Sequence, residues 1–325
     1  MSSAGPELDD QTPAWREELQ RLRHGLAQPQ KWISSMYFYD DAGARLFDRI
    51  TEQPEYYLTR TELAIMRRHV GEMAEKIGPE AMVIEPGSGA GEKIRLLLDA
   101  LALPVAYVPI EIARHYLEAS SGALAGDFPD IEILPVWGDF TQPLDIPTPA
   151  RKVLRRVIYF PGSTLGNFEP RDAAALLENF AGMVGEGGVA LVGVDLAKEA
   201  QVIEPAYNDA AGVTAAFNLN MLAHLNRRFH ADFKLADFEH LAFYNERESR
   251  IEMHLRSCCR QTVHLDGEAV EFESGETIHT ESSYKYTDER FAELAAAAGF
   301  RLIETWKDAV AMFSVRYLMR QSAGE

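Results

Sequence analysis

Cysteine is nearly absent: the 325 residues include two, the neighbours Cys258 and Cys259. Adjacent cysteines rarely close a relaxed disulfide, and two alone cannot complete a four-ligand zinc site. A reducing, cytoplasmic setting is therefore expected, with the pair read as ordinary strand residues. Positive charge is also scarce. Thirty-two Lys+Arg stand against fifty Asp+Glu, a net charge of −18, which disfavours a nucleic-acid backbone or an anionic membrane as partner. No apolar run approaches the roughly 18–20 residues of a membrane span. The start, Met1 to Asp10, has no basic stretch leading into an apolar one, so secretion is not expected. Internal repeats are missing; the acidic surface and the lack of a heptad seam make a monomer the expected state. The histidines, scattered from His24 to His279, show no metal-ligand spacing, and no metal centre is expected.

What is present is an ordinary globular composition, 46% apolar and 25% charged. At about 150 residues per domain, that length predicts two domains. Thr59-Arg-Thr-Glu62 has a capping-box pattern ahead of Leu63, Met66, Val70, Met73 and Ile77, an amphipathic helix stopped by Gly78-Pro79. Beyond it, strand-like runs (81–85, 105–110, 131–136, 157–160, 188–196) alternate with helical patterns (92–101, 113–124, 170–184). That rhythm predicts an α/β fold, a doubly wound, mostly parallel Rossmann-like sheet. Residues 199–230 read as helical. Arg250–Arg256 then alternates as an antiparallel strand, and Asp266-Gly267 marks a hairpin. Thr287 is the expected cap of a last helix, followed by strands at 301–306 and 311–318; by fold-level analogy alone, this ending resembles that of a seven-stranded methyltransferase sheet. The expected division is 61–198 with 286–325 as a cofactor domain and 15–60 with 199–285 as an α+β substrate domain; residues 1–14 would be a flexible arm.

The segment Val83-Ile-Glu-Pro-Gly-Ser-Gly-Ala-Gly-Glu-Lys93 runs from strand to helix. Gly87, Gly89 and Gly91 allow a sharp turn and a close ligand approach. A dinucleotide fingerprint needs glycine where Glu92 stands, and a P-loop needs Ser or Thr where Ile94 stands. The remaining ligand has an amino-acid-like part and no pyrophosphate; S-adenosylmethionine fits. Glu111, ending the next strand, is placed to accept from ribose hydroxyls. Asp139 and Phe140, after the third strand, are placed to meet an adenine. Cofactor-binding candidates are thus Glu85, Gly87, Gly89, Gly91, Lys93, Glu111, Asp139 and Phe140.

The loop Pro161-Gly-Ser-Thr-Leu-Gly-Asn167-Phe168 follows the fourth strand. Together with Lys31-Trp32, Tyr37-Phe38-Tyr39-Asp40, Leu46-Phe47-Asp48 and Pro54-Glu-Tyr-Tyr-Leu-Thr-Arg60, it resembles the L-histidine Nα-methyltransferases of ergothioneine biosynthesis, which make hercynine. The resemblance runs from Trp32 onward. It implies that Asn167 and Tyr207 hold the substrate carboxylate, that Glu281 and Ser283 hold the imidazole, and that Met253 lies against the ring. Tyr39, Phe47, Tyr56, Gly162 and Thr214 would complete the wall. One departure is visible: Leu58 stands where family members commonly have proline. Simpler roles are open to several of these residues. Glu281 can be a solvated side chain, Met253 a core residue of the Ile251/Met253/Leu255 row, and Asn167 a cap for the Pro170 helix.

Methyl transfer from a sulfonium needs alignment and dryness rather than a covalent nucleophile, and the amine must first lose a proton. Tyr39 is the catalytic candidate, as acceptor of that proton directly or through water. Tyr39, Phe47 and Tyr56 can hold the methylated ammonium by cation–π attraction. Two other readings remain at this point: an N-methyltransferase of tryptophan or tyrosine, and a non-catalytic S-adenosylmethionine-binding protein.

Overall fold

The computed structural model describes residues 12–89 and 91–321, apart from the side chain of residue 92. Residues 1–11 of the expected arm and the Glu92 side chain therefore lie outside what is described. The chain divides into two compact units, one of the N-terminal segment through Tyr57 with Glu199–Ser282, the other of Leu58–Lys198 with Ser283 onward.

In the larger unit, eight strands among the described residues form one sheet. Its order is Phe300–Lys307, Phe313–Arg320, Val189–Asp195, Arg155–Phe160, Ala81–Pro86, Ala106–Glu111, Glu132–Ile133, with Val136–Trp137 also on Ala106–Glu111. The last two are one broken edge strand: Ile133 pairs with Tyr107 and Val136 with Ile110. Pro135, lacking an N–H, interrupts the run that the sequence predicts as continuous. Counted that way, the sheet has seven strands, all parallel except Phe313–Arg320, which is antiparallel to both neighbours. Val83, Ile84, Val108, Ile158, Ala190 and Val192 are fully buried, as expected for strands covered on both faces. The chain first builds outward from Ala81–Pro86 to Ala106–Glu111, then returns to Arg155–Phe160 on the other side. The carboxyl ends of Ala81–Pro86 and Arg155–Phe160 thus flank the point where strand order reverses, the place where open α/β sheets bind ligands.

Helix Tyr57–Ile77 starts before the expected capping box, so Thr59 and Glu62 are helical rather than capping. Leu58 falls in the first turn, where a proline also fits because that N–H has no intrahelical partner. Helix Pro170–Val184 ends at Gly185 with φ +69°, and Thr287 caps Asp288–Ala297 by accepting from Arg290 N–H.

In the smaller unit, Thr12 caps helix Pro13–Leu26, so Pro13 and Ala14 are helical. Trp15 Nε1 donates to the Arg228 carbonyl at 3.0 Å, tying that helix to Val213–Arg228. A four-stranded sheet runs in the order Lys31–Trp32, Thr277–Tyr284, Arg250–Ser257, Phe238–Asn245; Ser283 and Tyr284, the end of its second strand, group with the other unit. The predicted helical stretch 199–230 is in fact three pieces: Ala200–Ile203, a 3-10 turn Glu204–Tyr207, and Val213–Arg228. Pro205 removes a donor, and the chain restarts where Gly212 takes φ +70° and Asp209 accepts from the N–H groups of Val213 and Thr214. The Asp266-Gly267 hairpin pairs Gln261–Leu265 with Glu268–Phe272, both turn residues having positive φ. Cys258 and Cys259 lie beyond the end of Arg250–Ser257, exposed in a turn rather than in a strand.

Candidate active site

The glycine loop of the larger unit adopts the geometry its composition implies. Gly87, Gly89 and Gly91 have φ of +70°, +52° and +76°, a region that L side chains enter only at a cost of about 1 kcal/mol. Gly87 and Ser88 N–H donate to the Ile110 carbonyl, fastening the loop to the next strand. A Cβ on Gly87 would stand 3.4 Å from the Phe140 ring, so the glycine and that aromatic already share one narrow space. Phe140 is held edge-on by Phe160 and Phe168, with centroids 5.7 and 6.3 Å away.

Acids end the first two strands. Glu85 is buried and accepts from Tyr107 Oη; burial pushes its carboxyl up to about 8, against the hydrogen bond and Lys93. Glu111 is raised by burial and stabilised as an anion by Ile112 and Ala113 N–H, both on Oε1. Asp139 accepts from Thr141 N–H and Oγ1, again on one oxygen, Oδ1. The glycine cradle and the carboxylates at successive strand ends fit an amino-acid part, a ribose and an adenine.

The loop after Arg155–Phe160 is tightly built. Gly162 and Ser163 are successive left-handed residues, φ +79° and +60°, a strained pair of the kind that persists at functional sites. Ser163 is buried and its Oγ accepts from Asp195 N–H at 2.9 Å. A Cβ on Gly166 would come within 2.7 Å of the Tyr284 carbonyl. Asn167 ends the 3-10 turn Thr164–Asn167 and is half-buried; helix Pro170–Val184 has Glu169 at its N-cap and no side-chain cap, so capping is not the role of Asn167. Ser283 is buried, with Oγ accepting from Lys285 Nζ at 2.9 Å, and Lys285 is also paired with the fully buried Asp195 at 3.0 Å.

The smaller unit gathers the aromatic candidates. Ring centroids run Tyr39 to Phe47 at 6.0 Å, Phe47 to Tyr56 at 6.3 Å and Tyr56 to Tyr207 at 6.5 Å, each pair roughly edge to face. Phe217, which the sequence reading missed, backs this arc at 6.0 Å from Tyr39 and 6.1 Å from Phe47. It lies one turn after Thr214 on helix Val213–Arg228, and both are buried. Helix Asp41–Thr51, which carries Phe47, is pinned by its N-cap Asp40, which accepts from Gly43 N–H and from Asn220 Nδ2. Met253 is 2% exposed, matching the core role open to it, and Thr280 Oγ1 donates to its carbonyl. Glu281 is half-buried on Thr277–Tyr284.

The fold also brings together Glu252, His254 and His279, three groups of metal-ligating type that spacing did not reveal. Glu252 is saturated by Arg250 Nε, Asn245 Nδ2 and His254 Nε2. These partners hold it near 2 against burial. The cluster is a largely buried, hydrogen-bonded ion-pair network, with His254 stacked on His279.

Two residues of the larger unit were not read as neighbours of the site from the sequence, where Glu62 figured only in a capping box. Glu62 is 1% exposed, and its signal was position: it lies four residues before Met66, on the apolar stripe where a carboxylate is rare. Tyr107 gave no signal, being one apolar strand residue among several.

The strand order, the antiparallel penultimate strand and the glycine loop at the order reversal define an S-adenosylmethionine-dependent methyltransferase. The sequence places the chain more narrowly. It belongs to the family described as histidine-specific, SAM-dependent methyltransferases, which matches residues 18–320; its cofactor is S-adenosylmethionine. It is 41% identical over 312 residues to the histidine N-alpha-methyltransferase of Mycolicibacterium smegmatis, covering 94% of this chain and 95% of that one. It is 39% identical over 297 residues to the enzyme of the same name from Mycobacterium tuberculosis, covering 90% and 91%. Ergothioneine biosynthesis protein 1 of Neurospora crassa is 31% identical over 280 residues, 84% of this chain but 32% of that larger protein.

Proposed function

We propose that the protein transfers three methyl groups in succession from S-adenosylmethionine to the α-amino nitrogen of L-histidine, giving hercynine, the trimethylated betaine of ergothioneine biosynthesis. The observation that carries this reading is the aromatic arc Tyr39–Phe47–Tyr56–Tyr207, backed by Phe217. A methylated ammonium grows, loses its N–H donors and keeps its charge, so hydrogen-bond acceptors suit it less at every round. Aromatic faces suit it throughout, at about 0.5–2 kcal/mol per cation–π contact.

The bound cofactor supplies an already activated methyl group on a sulfonium. The chain's own groups have four tasks. Gly87, Gly89 and Gly91, with Lys93 and Glu85, hold the amino-acid part; Glu111 accepts from ribose hydroxyls; Asp139 and Phe140 hold the adenine. Asn167 and Tyr207 orient the substrate carboxylate, with Gly162 and Thr214 in the wall. Glu281 and Ser283 take the imidazole, Met253 supporting it. Lys285, donating to Ser283 Oγ, holds that serine in place. Tyr39, directly or through water, accepts the amine proton, because the amine attacks only with a free lone pair. A cytoplasmic monomer is the accompanying expectation, in keeping with two free, exposed thiols; sedimentation of the purified protein checks the monomer.

The deciding variant is Glu281→Ala. A site built on polar partners rejects an apolar analogue by up to about 10⁴. The variant should lose most of its kcat/KM with histidine and far less with tryptophan. An unchanged histidine rate would refute the role of Glu281 and return tryptophan or tyrosine as candidate substrates.

A further inference from the structure

Glu62 belongs to none of the binding roles above, yet it is the most enclosed carboxylate on helix Tyr57–Ile77, 1% exposed. It accepts from Lys93 Nζ in the cofactor loop's helix. The same carboxylate accepts from Gly162 N–H in the loop after the fourth strand, at 2.9 Å on Oε2 and 3.2 Å on Oε1. Strand Val189–Asp195 makes room for it: a Cβ on Gly193 would collide with Glu62 Oε1. One buried anion is therefore shared by two loops, and a third element is cut back to admit it.

Fold stability is a poor reason for this arrangement, since a buried ion pair is often no better than apolar residues of the same volume. Exposure gives a better one. The Lys93 side chain is 17% exposed against 1% for Glu62, so of the two partners it is the lysine, with three donors on its ammonium, that a ligand can meet. We propose that Glu62 is a positioning residue that couples the cofactor loop to the substrate loop, holding Lys93 and Gly162 N–H in one geometry so that ordering either loop lowers the cost of ordering the other. This rests on the reading of Lys93 as a cofactor contact and of Pro161–Asn167 as a substrate contact.

The test uses the full chain and S-adenosylhomocysteine as a non-reacting probe. Glutamine at 62 removes the charge: its one oxygen, in the place of Oε2, can meet both donors, but its NH₂ then faces the Gly162 N–H that Oε1 accepted. Glu62→Gln should raise the S-adenosylhomocysteine Kd by about tenfold or more, the worth of a charge-assisted hydrogen bond. It should raise the histidine KM as well, with kcat at saturation of both substrates changed far less. Glu62→Asp should recover part of the loss. Lys93→Met should weaken the probe on its own, and adding Glu62→Gln to it should cost little more, because the two act as one unit. Gly193→Ala displaces the carboxylate without altering it and should reproduce the Glu62→Gln pattern; it decides the matter if Glu62→Gln does not fold. Weakened binding in Lys93→Met with Glu62→Gln and Gly193→Ala both within about twofold of wild type overturns the proposal alone. Unchanged binding in Lys93→Met overturns the reading of Lys93 on which it stands.

Discussion

Replacing Asp195 by asparagine keeps the shape of the side chain and removes the charge on which two lysines depend. Asp195 is fully buried at the end of Val189–Asp195. Oδ1 accepts from Lys198 Nζ at 2.6 Å, and Oδ2 is 3.0 Å from Lys285 Nζ. Lys285 has no exposed side-chain area, and burial already lowers Lys198 from its usual value. Asparagine can turn its oxygen toward one ammonium only by turning its NH₂ toward the other. Removing one partner of a buried ion pair costs about 3–5 kcal/mol, a large part of the roughly 5–15 kcal/mol that holds a domain folded. Urea unfolding followed by circular dichroism should show a loss of that size. Adding Lys285→Met to Asp195→Asn should restore part of it, since the stranded charge is then gone. Histidine KM should rise in Asp195→Asn as well, because Lys285 also holds Ser283. A stability loss below about 1 kcal/mol would refute the reasoning, for it would mean that the two ammoniums do not need this carboxylate.

Protonation gives two further tests of opposite sign. Glu85, raised from 4.5 to about 8 by burial, keeps its proton in the folded state while the unfolded chain releases it. Its contribution is full below pH 4.5 and is lost as pH rises toward 8, by about 1.4 kcal/mol per pH unit. The stability of wild type relative to Glu85→Gln should therefore fall between pH 5 and pH 8; a constant difference would contradict the assignment. His224, His240, His254 and His279, all in the smaller unit, are lowered from 6.5, chiefly by burial. The unfolded chain then takes up protons first as pH drops below 6.5, so the unit should lose stability on acidification, by at most about 1.4 kcal/mol per histidine per pH unit. Equal melting temperatures at pH 7.5 and 5.5 for signals from the smaller unit, such as Trp15 fluorescence isolated by substituting the other tryptophans, would refute it.

Much of the larger unit was legible because its signals are local. A glycine loop between strand and helix, acids at strand ends and fully apolar strands each fit within a dozen residues, and the positive φ at Gly87, Gly89 and Gly91 follows from the composition. What escaped was non-local. Thr59 and Glu62 matched a capping box because the pattern is short, and only the tertiary position of Glu62, between Lys93 and Gly162, overrides it. Pro135 divides a strand whose apolar run looks continuous. The smaller unit was harder still: its arc draws Tyr39, Phe47 and Tyr56 from one segment and Tyr207 and Phe217 from another about 150 residues away. No periodicity links those segments, and resemblance to a family was the only means of naming them together. The Glu252–His254–His279 network likewise forms across strands and has no signature in spacing.

The most direct measurement is a time course of purified protein with S-adenosylmethionine and L-histidine, its products resolved by mass. Mono- and dimethylhistidine should rise first and drain into trimethylhistidine, with fragmentation placing every methyl group on the α-amino nitrogen. Methylation of the imidazole, or consumption of another amino acid while histidine is left intact, would contradict the account.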